Sequence, residues 1–443
     1  MNAYLGYEIA VTAVLVYAVA VYGLWRTGKI GADRTFSLLG PALMIKTKRG
    51  RSALDRWGRF VRFWTAASDV GILLAAAAMV LIFVLLVFGA VASSLSHAAA
   101  PSPTEALGLP GINPVIPLGY GIVALVIGVV LHELSHGVVA RSQKIGVKSL
   151  GILWCVLPVG AFVEQDDTEM LAASRRRRDR VAAAGVLANF VLAVVFFVAL
   201  AAVVSASVQP VANGVGIAYV EPNTPAANLS LAPGDIIESI NGTATTSAAL
   251  FESSLEHTTP HEPVAIVWRS TNGSVLSKTV TLAKSPTVSN RGYLGVAVDA
   301  LTPAGLKQTL VAPLSSSLGP LDGSIYWLVL PFAGLEPVAG STSSFFHVTG
   351  PLAALGSGNF WIAANLLYWI AWMNLLLGLS NALPLVPLDG GLLFRDFAAS
   401  LAARLRKGWD AARLDEAGGR AVAVSSVLVL GLLLWQFVVP HLL

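Results

Sequence analysis

One cysteine, Cys155, serves all 443 residues, so no internal disulfide can staple the chain. Charge is scarce as well. Asp, Glu, Lys and Arg make up 12% of the sequence, about half the share usual in a soluble protein, which is roughly 25%. The 29 Lys and Arg exceed the 25 Asp and Glu by four, too slight an imbalance to point to nucleic acid. Basic residues are missing from 95–115, and only five fall in 205–320. Internal repeats are absent, which argues against a transporter built from repeated halves. No cleavable signal peptide is expected: the first apolar stretch is too long, has no basic residues ahead of it and no small-residue cleavage site.

Apolar runs stand in place of charge. Hydrophobic residues make up 55% of the chain and mean hydropathy is +0.70. Six runs reach the roughly 20 residues that cross a bilayer, at about 3–25, 68–93, 117–140, 181–207, 361–384 and 421–440. A seventh, Ile325 to Leu335, is too short and is broken by Pro331; it is expected to be re-entrant or interfacial. The basic residues alternate with these runs: ten in 25–64, eight in 141–180 and six in 395–420, or 24 of 29 on one side. That side is expected to be cytoplasmic, which sets both termini and residues 208–320 outside. Arg175 to Arg178 read as part of this topological signal rather than as an RNA or lipid site.

The third run ends in His132-Glu133-Leu134-Ser135-His136. On a helix, His at i and i+4 share one face about a turn apart, so two imidazoles can hold one metal ion. This is the HExxH pattern of zinc hydrolases, in which the glutamate is the general base. Catalytic zinc takes three protein ligands and leaves one position for water. His132 and His136 supply two. The well-placed acid for the third is Asp389, which follows Pro384 and Pro387 where they break the fifth run. An ionisable residue at membrane depth is by default a functional candidate. Arg395 comes six positions later, so Asp389 is expected near the cytoplasmic face, level with the histidines. One Zn²⁺ per chain is the expected cofactor. The bland readings are a packed histidine pair and a helix-capping aspartate.

Between the third and fourth runs, Gly151 to Val163 are apolar but carry Pro158 and further glycine at Gly160. A short extended hairpin is expected. Val159, Gly160, Ala161 and Phe162 are candidates for an edge strand that holds an extended peptide through backbone hydrogen bonds; a structural plug is the other reading. In the fourth run, Ala184, Gly185 and Ala188 allow close helix packing. Asn189 is polar inside a span and should face protein, either in an interhelical hydrogen bond or at the site. Residues 210–285 alternate apolar and polar, with turn signals at Pro222-Asn223, Pro233-Gly234, Asn241-Gly242 and Asn272-Gly273. They predict a small soluble strand-rich domain.

Two motifs in order, His132-Glu133-Leu134-Ser135-His136 and Asn381-x-x-Pro384-x-x-x-x-Asp389-Gly390, resemble those of the site-2 protease family, the intramembrane zinc metalloproteases of peptidase family M50. Gly185-x-x-x-Asn189 is similar to a further family element. The resemblance implies zinc held by His132, His136 and Asp389, with Glu133 catalytic. It implies a role for Asn381 and Asn189 in orienting substrate or stabilising the oxyanion. It also implies cleavage of single-span transmembrane proteins within or near the cytoplasmic leaflet. Residues 210–285 resemble a PDZ domain, on Gly214-Val-Gly-Ile-Ala-Tyr-Val and Gly234-Asp235-Ile-Ile-Glu-Ser-Ile-Asn241-Gly242. That implies an extracytoplasmic groove for peptide C-termini near Val215, Gly216 and Ile217.

The expected fold is therefore a polytopic α-helical membrane protein of about six transmembrane helices, with an inserted α+β PDZ-like domain. Its parts are two N-terminal helices (1–94), a first catalytic part (115–207), the PDZ-like domain (210–285), a linker (286–360) and a second catalytic part (361–443). The expected location is a prokaryotic cell membrane. A non-proteolytic scaffold or chaperone using the PDZ-like domain is the alternative.

Overall fold

A computed structural model describes residues 3–31, 34–95, 102, 104, 108–333 and 340–441. In chain order the first half holds α1 (Ala3–Arg26), β1 (Phe36–Leu39), β2 (Ala42–Thr47), α2 (Arg51–Gly58), α3 (Val61–Leu95), α4 (Leu118–Ser142), β3 (Val147–Cys155), β4 (Leu157–Gln165), α5 (Asp167–Ala172) and α6 (Arg175–Ser207). Then come β5 (Val208–Pro210), β6 (Val215–Val220), α7 (Pro225–Asn228), β7 (Ile236–Ile240), β8 (Thr243–Ala244), α8 (Ala248–Glu256), β9 (Pro263–Arg269), β10 (Val275–Thr281), β11 (Ala283–Lys284), β12 (Gly292–Tyr293) and β13 (Val296–Val298). The chain closes with α9 (Pro303–Val311), α10 (Pro320–Val329), β14 (Phe346–Val348), α11 (Ser357–Asn381), α12 (Asp389–Leu405) and α13 (Ala411–Val438).

Five of these helices, α3, α4, α6, α11 and α13, are long and apolar enough to cross a membrane. The 25 residues of α4 extend about 37 Å at 1.5 Å each, more than a hydrocarbon core of about 30 Å. A sixth apolar helix is α1, whose stretch Val11–Arg26 is shorter. Leu73 and Phe88 on α3, and Val424 and Val427 on α13, are 69–73% exposed. Apolar surface of that kind along long helices is what lipid covers.

The chain divides into two compact units, residues 1–193 with 372–443, and residues 194–371. In the first, the expected hairpin is present as β3 and β4, paired antiparallel with Gly151 opposite Phe162 and Ile152 opposite Ala161. It is half of a four-stranded sheet in the order β1-β2-β3-β4. Strand β2 covers the other side of β3, from Leu43 opposite Trp154 to Thr47 opposite Leu150, so β4 is left as an edge. Gly151 is glycine because the Ile45 carbonyl and the Phe162 ring stand where a Cβ would go. Leu54 of α2, Val138 and Val139 of α4, Val147 of β3 and Val163 of β4 share one buried core. Each such side chain contributes about 1.5–3 kcal/mol when fully buried, which fixes the sheet to α4.

The arginines that open α6 do more than set topology. Arg180 and Arg176 meet Asp69 of α3 at 2.8 and 3.1 Å, Arg178 meets Asp396 of α12 at 2.9 Å, and Arg175 lies 3.4 Å from Asp415 of α13. One basic helix start therefore ties down three other helices.

In the second unit a sheet runs β10-β9-β7-β6-β13, with β8 on β7. Val215, Ile217, Ile237, Ile240, Ile266 and Trp268 form its core. The sheet continues past the expected boundary at 285, because β13 pairs with β6. The stretch expected to be re-entrant is helix α10 followed by a 3-10 turn, Leu330–Ala333; residues 334–335 lie outside the described residues.

Candidate metal centre

Helix α4 carries the HExxH segment in its C-terminal half, with His132 and His136 buried and Glu133 half-buried. The ring nitrogens His132 Nε2 and His136 Nε2 lie 3.1 Å apart. Asp389 Oδ2 lies 3.2 Å from the first and 3.4 Å from the second. The ligand atoms of His132, Glu133 and His136 all fall within 4.8 Å of one another. The i, i+4 spacing thus puts both imidazoles on one face, and α12 brings the carboxylate to it from about 250 residues later in the chain.

Three observations show that these side chains fit a zinc ion. A tetrahedral ion with bonds of about 2.0–2.1 Å sets its ligands about 3.3–3.4 Å apart, close to the triangle found here. Asp389 Oδ2 is buried and takes no hydrogen bond, the condition of a carboxylate oxygen meant for a cation. Finally, the far nitrogens of both rings are occupied. His136 Nδ1 donates to the Val181 carbonyl at 2.7 Å, which leaves the lone pair on Nε2. His132 Nδ1 lies 3.1 Å from the amide of Asn189, whose Oδ1 has no other partner. The two ends of an amide have the same shape; with Oδ1 toward the ring, His132 too keeps its proton on Nδ1 and its lone pair on Nε2. This is the outer brace that metal-binding histidines usually have.

Gly185 on α6 closes the back of the site. A Cβ there would stand 2.5 Å from Nε2 of both His132 and His136, so only glycine leaves room for the rings. Gly391 is fixed similarly: its Cβ would lie 2.7 Å from the Leu385 carbonyl. The two glycines after Asp389 let α12 start while the chain folds back over the turn at residues 384–388. That turn is pinned by α13, where Ser425 Oγ donates to the Pro384 carbonyl at 2.7 Å and Ser426 Oγ accepts from Val386 N at 3.1 Å. Sequence reasoning passed over both serines, which look like ordinary small residues in an apolar run. Asp389 is the first residue of α12 and does not cap it; its side chain points to the histidines instead.

Glu133 is aimed by the hairpin. Val163 N donates to Glu133 Oε2 at 3.1 Å. Along a strand, alternate N–H groups point the same way, so the N–H of Ala161 also faces the open edge of β4. Gly160, Ala161 and Phe162 therefore sit on an edge strand running beside the glutamate, as does the backbone of Val159, whose side chain lies outside the described positions. Behind them, burial works to raise the Glu164 carboxyl, but hydrogen bonds from Ser149 Oγ and Lys46 Nζ hold it below the ordinary glutamate range. Asn381 is the last residue of α11, half-buried, and its side chain makes no hydrogen bond with the triad.

Val215, Gly216 and Ile217, where a groove was expected, lie in β6. Strand β6 is interior, paired with β7 on one side and β13 on the other. Val215 and Ile217 are fully buried, and the Phe345 ring packs where a Gly216 Cβ would be. The periodicity of that segment identified a strand but could not tell a central one from an edge. The free edges of this sheet are β13 and β10.

The chain resembles several known proteins. An uncharacterised protein of Methanocaldococcus jannaschii is 27% identical over 365 residues, 82% of this chain and 79% of that one. A Clostridium perfringens protein, provisionally named a zinc metalloprotease, is 27% identical over 290 residues, 62% of this chain and 81% of that one. The solved PDZ domain of an SdrC-like protein from Listeria monocytogenes is 23% identical and covers 20% of this chain and 88% of that one, at a TM-score of 0.18. The pattern of peptidase family M50 matches residues 120–412, a stretch that begins with the HExxH helix and ends beyond Asp389. With its three ligand groups converged and its sequence matched over most of its length, this chain belongs to peptidase family M50.

Proposed function

We propose that this protein is an intramembrane zinc endopeptidase that cuts the transmembrane segments of single-span membrane proteins. One observation carries the reading: His132, His136, Asp389 and Glu133 meet on helices of which α4 is long and apolar enough to cross a bilayer. His132, His136 and Asp389 would hold the zinc ion, which would supply a Lewis acid for the scissile carbonyl and lower the pKa of the attacking water. Glu133, steered by the Val163 N–H, takes the proton of that water and delivers it to the leaving amine nitrogen. A helical carbonyl is already hydrogen-bonded, so the substrate must unwind before it reacts. The open edge of β4 at Val159 to Phe162 holds the unwound segment extended, with backbone bonds that ignore side-chain identity.

Asn381 has its amide free to orient that segment. Asn189 braces His132 rather than the oxyanion. The basic segments face the cytoplasm and the small sheet domain lies outside, where peptide ends add to its free β13 edge. Glu133→Gln is the first test. It is expected to keep the fold and stoichiometric zinc, and to slow cleavage of a model transmembrane substrate at least about a hundredfold, the usual worth of a general base. Chelation is expected to abolish cleavage in the wild type, with recovery on added Zn²⁺. Undiminished cleavage by the variant would sink the proposal, and a purified protein without stoichiometric zinc would favour a non-proteolytic scaffold.

A further inference from the structure

A polar cleft of about 740 Å³ opens at the base of the four-stranded sheet, away from the zinc ligands. Six cations line it: Arg34, Lys46, Lys48, Arg51, Arg141 and Lys148. Three acids do so as well, and all are engaged locally. Glu164 is held by Lys46 at 3.0 Å and by Ser149. Asp166 caps α5 through the N–H groups of Thr168 and Glu169. Glu169 accepts from the Gly146 N–H. Among the cations, Arg141 pairs with Asp55 at 2.9 Å, and Lys148 lies 3.5 Å from Asp167 and 3.8 Å from Asp166. Arg34, Lys48 and Arg51 have no acidic partner among the described residues. With six cations against three acids, the lining carries an excess of positive charge, which concentrates anions in a concave space, and the guanidinium fork suits phosphate oxygens.

The neighbourhood says at what level this cleft sits. Arg51 opens α2, and Trp57 near the end of that helix is 60% exposed. Phe60, just before α3, and Phe63, in its first turn, are exposed too. Aromatic side chains gathered where an apolar helix begins mark a membrane–water interface. The cleft is therefore at headgroup depth, on the side richest in Lys and Arg. We infer that it binds a phosphate-bearing anion, either the headgroup of an anionic lipid or a soluble phosphate. The site is independent of the proteolytic reading. Its occupant would sit on β2 and β3, the strands that back the β4 edge.

The test uses the full chain in neutral detergent. Phosphatidylglycerol in mixed micelles is titrated against phosphatidylcholine, with bound lipid read by native mass spectrometry; inorganic phosphate is titrated separately by equilibrium dialysis. The variant Arg34→Gln/Lys48→Gln/Arg51→Gln is compared with Arg404→Gln/Arg406→Gln/Lys407→Gln, which removes equal charge from the exposed end of α12 and beyond. Phosphatidylglycerol is expected to bind at least about tenfold more tightly than phosphatidylcholine. That preference should fall about tenfold in the cleft variant and hold in the control. Phosphate binding with the same variant sensitivity assigns the site to soluble phosphate; lipid binding alone assigns it to a headgroup. Equal losses in the two triple variants, or no binding of either probe, overturn the inference. If the cleft triple does not fold, Lys48→Gln and Arg51→Gln singly carry the test, each expected to weaken binding where the control triple does not.

Discussion

His132 and His136 can each offer Nε2 to a metal because the opposite nitrogen is taken, by Asn189 and by the Val181 carbonyl. Removing such a brace usually costs about 10–100-fold in metal affinity. Asn189→Ala is therefore expected to weaken zinc binding by that factor, measured by competition with a chromogenic chelator. A role at the oxyanion predicts the opposite pattern, slower turnover with unchanged zinc affinity, so one titration decides between them. At this scale the side chains that converge here were legible in the sequence. Two histidines a turn apart and an aspartate behind two prolines in an apolar run have few other uses. The supports were less so. Gly185 reads as a packing residue until the two imidazoles appear where its Cβ would be. Ser425 and Ser426 reveal nothing until the turn at Pro384 is seen resting on them.

Among the elements, the hairpin was legible and its setting was not. Pro158, the glycines and the β-branched residues of 151–163 exclude a helix and point to strands. Strands β1 and β2 are four and six residues long and stand in a basic segment whose charge count dominates any reading. Their effect is to cover one side of β3, which makes β4 the sheet's edge beside Glu133. Proline is tolerated on such an edge, where it deletes an outward N–H without touching the ladder. Ala161→Pro is expected to cut cleavage about tenfold while zinc content and melting temperature hold, since one backbone hydrogen bond contributes roughly 0.5–1.5 kcal/mol. Phe162→Pro, whose N–H points into β3, is expected to lower the melting temperature as well. The arginine clamp is a second device at this scale. Arg178 binds Asp396 through two nitrogens at 2.9 and 3.0 Å, and the Asp396 side chain is only 1% exposed. Arg178→Gln leaves that carboxylate buried without its partner, a change worth about 3–5 kcal/mol. A clear drop in melting temperature is expected, partly recovered by adding Asp396→Asn.

For the whole molecule the decisive pattern is where cations are absent. Twenty-four of the 29 Lys and Arg lie in 25–64, 141–180 and 395–420, and five lie in 205–320. Basic flanks are retained on the cytoplasmic side, which predicts that residues 208–320 are extracytoplasmic. The low cysteine count makes this directly testable. With Cys155→Ser as background, Lys278→Cys reports on exposed strand β10 and Arg406→Cys on the exposed end of α12. A membrane-impermeant maleimide applied to intact cells is expected to label the first and not the second, and lysis should expose both. Labelling in the reverse order would turn the protein over and carry the His132–His136 end of α4 to the outer leaflet. Labelling of both before lysis would mean that these two regions share a side. Neither outcome is compatible with basic segments holding α4, α6 and α11 in alternating directions. On the proposed function, the charge pattern predicts a single orientation, and with it cleavage of substrates from the cytoplasmic side.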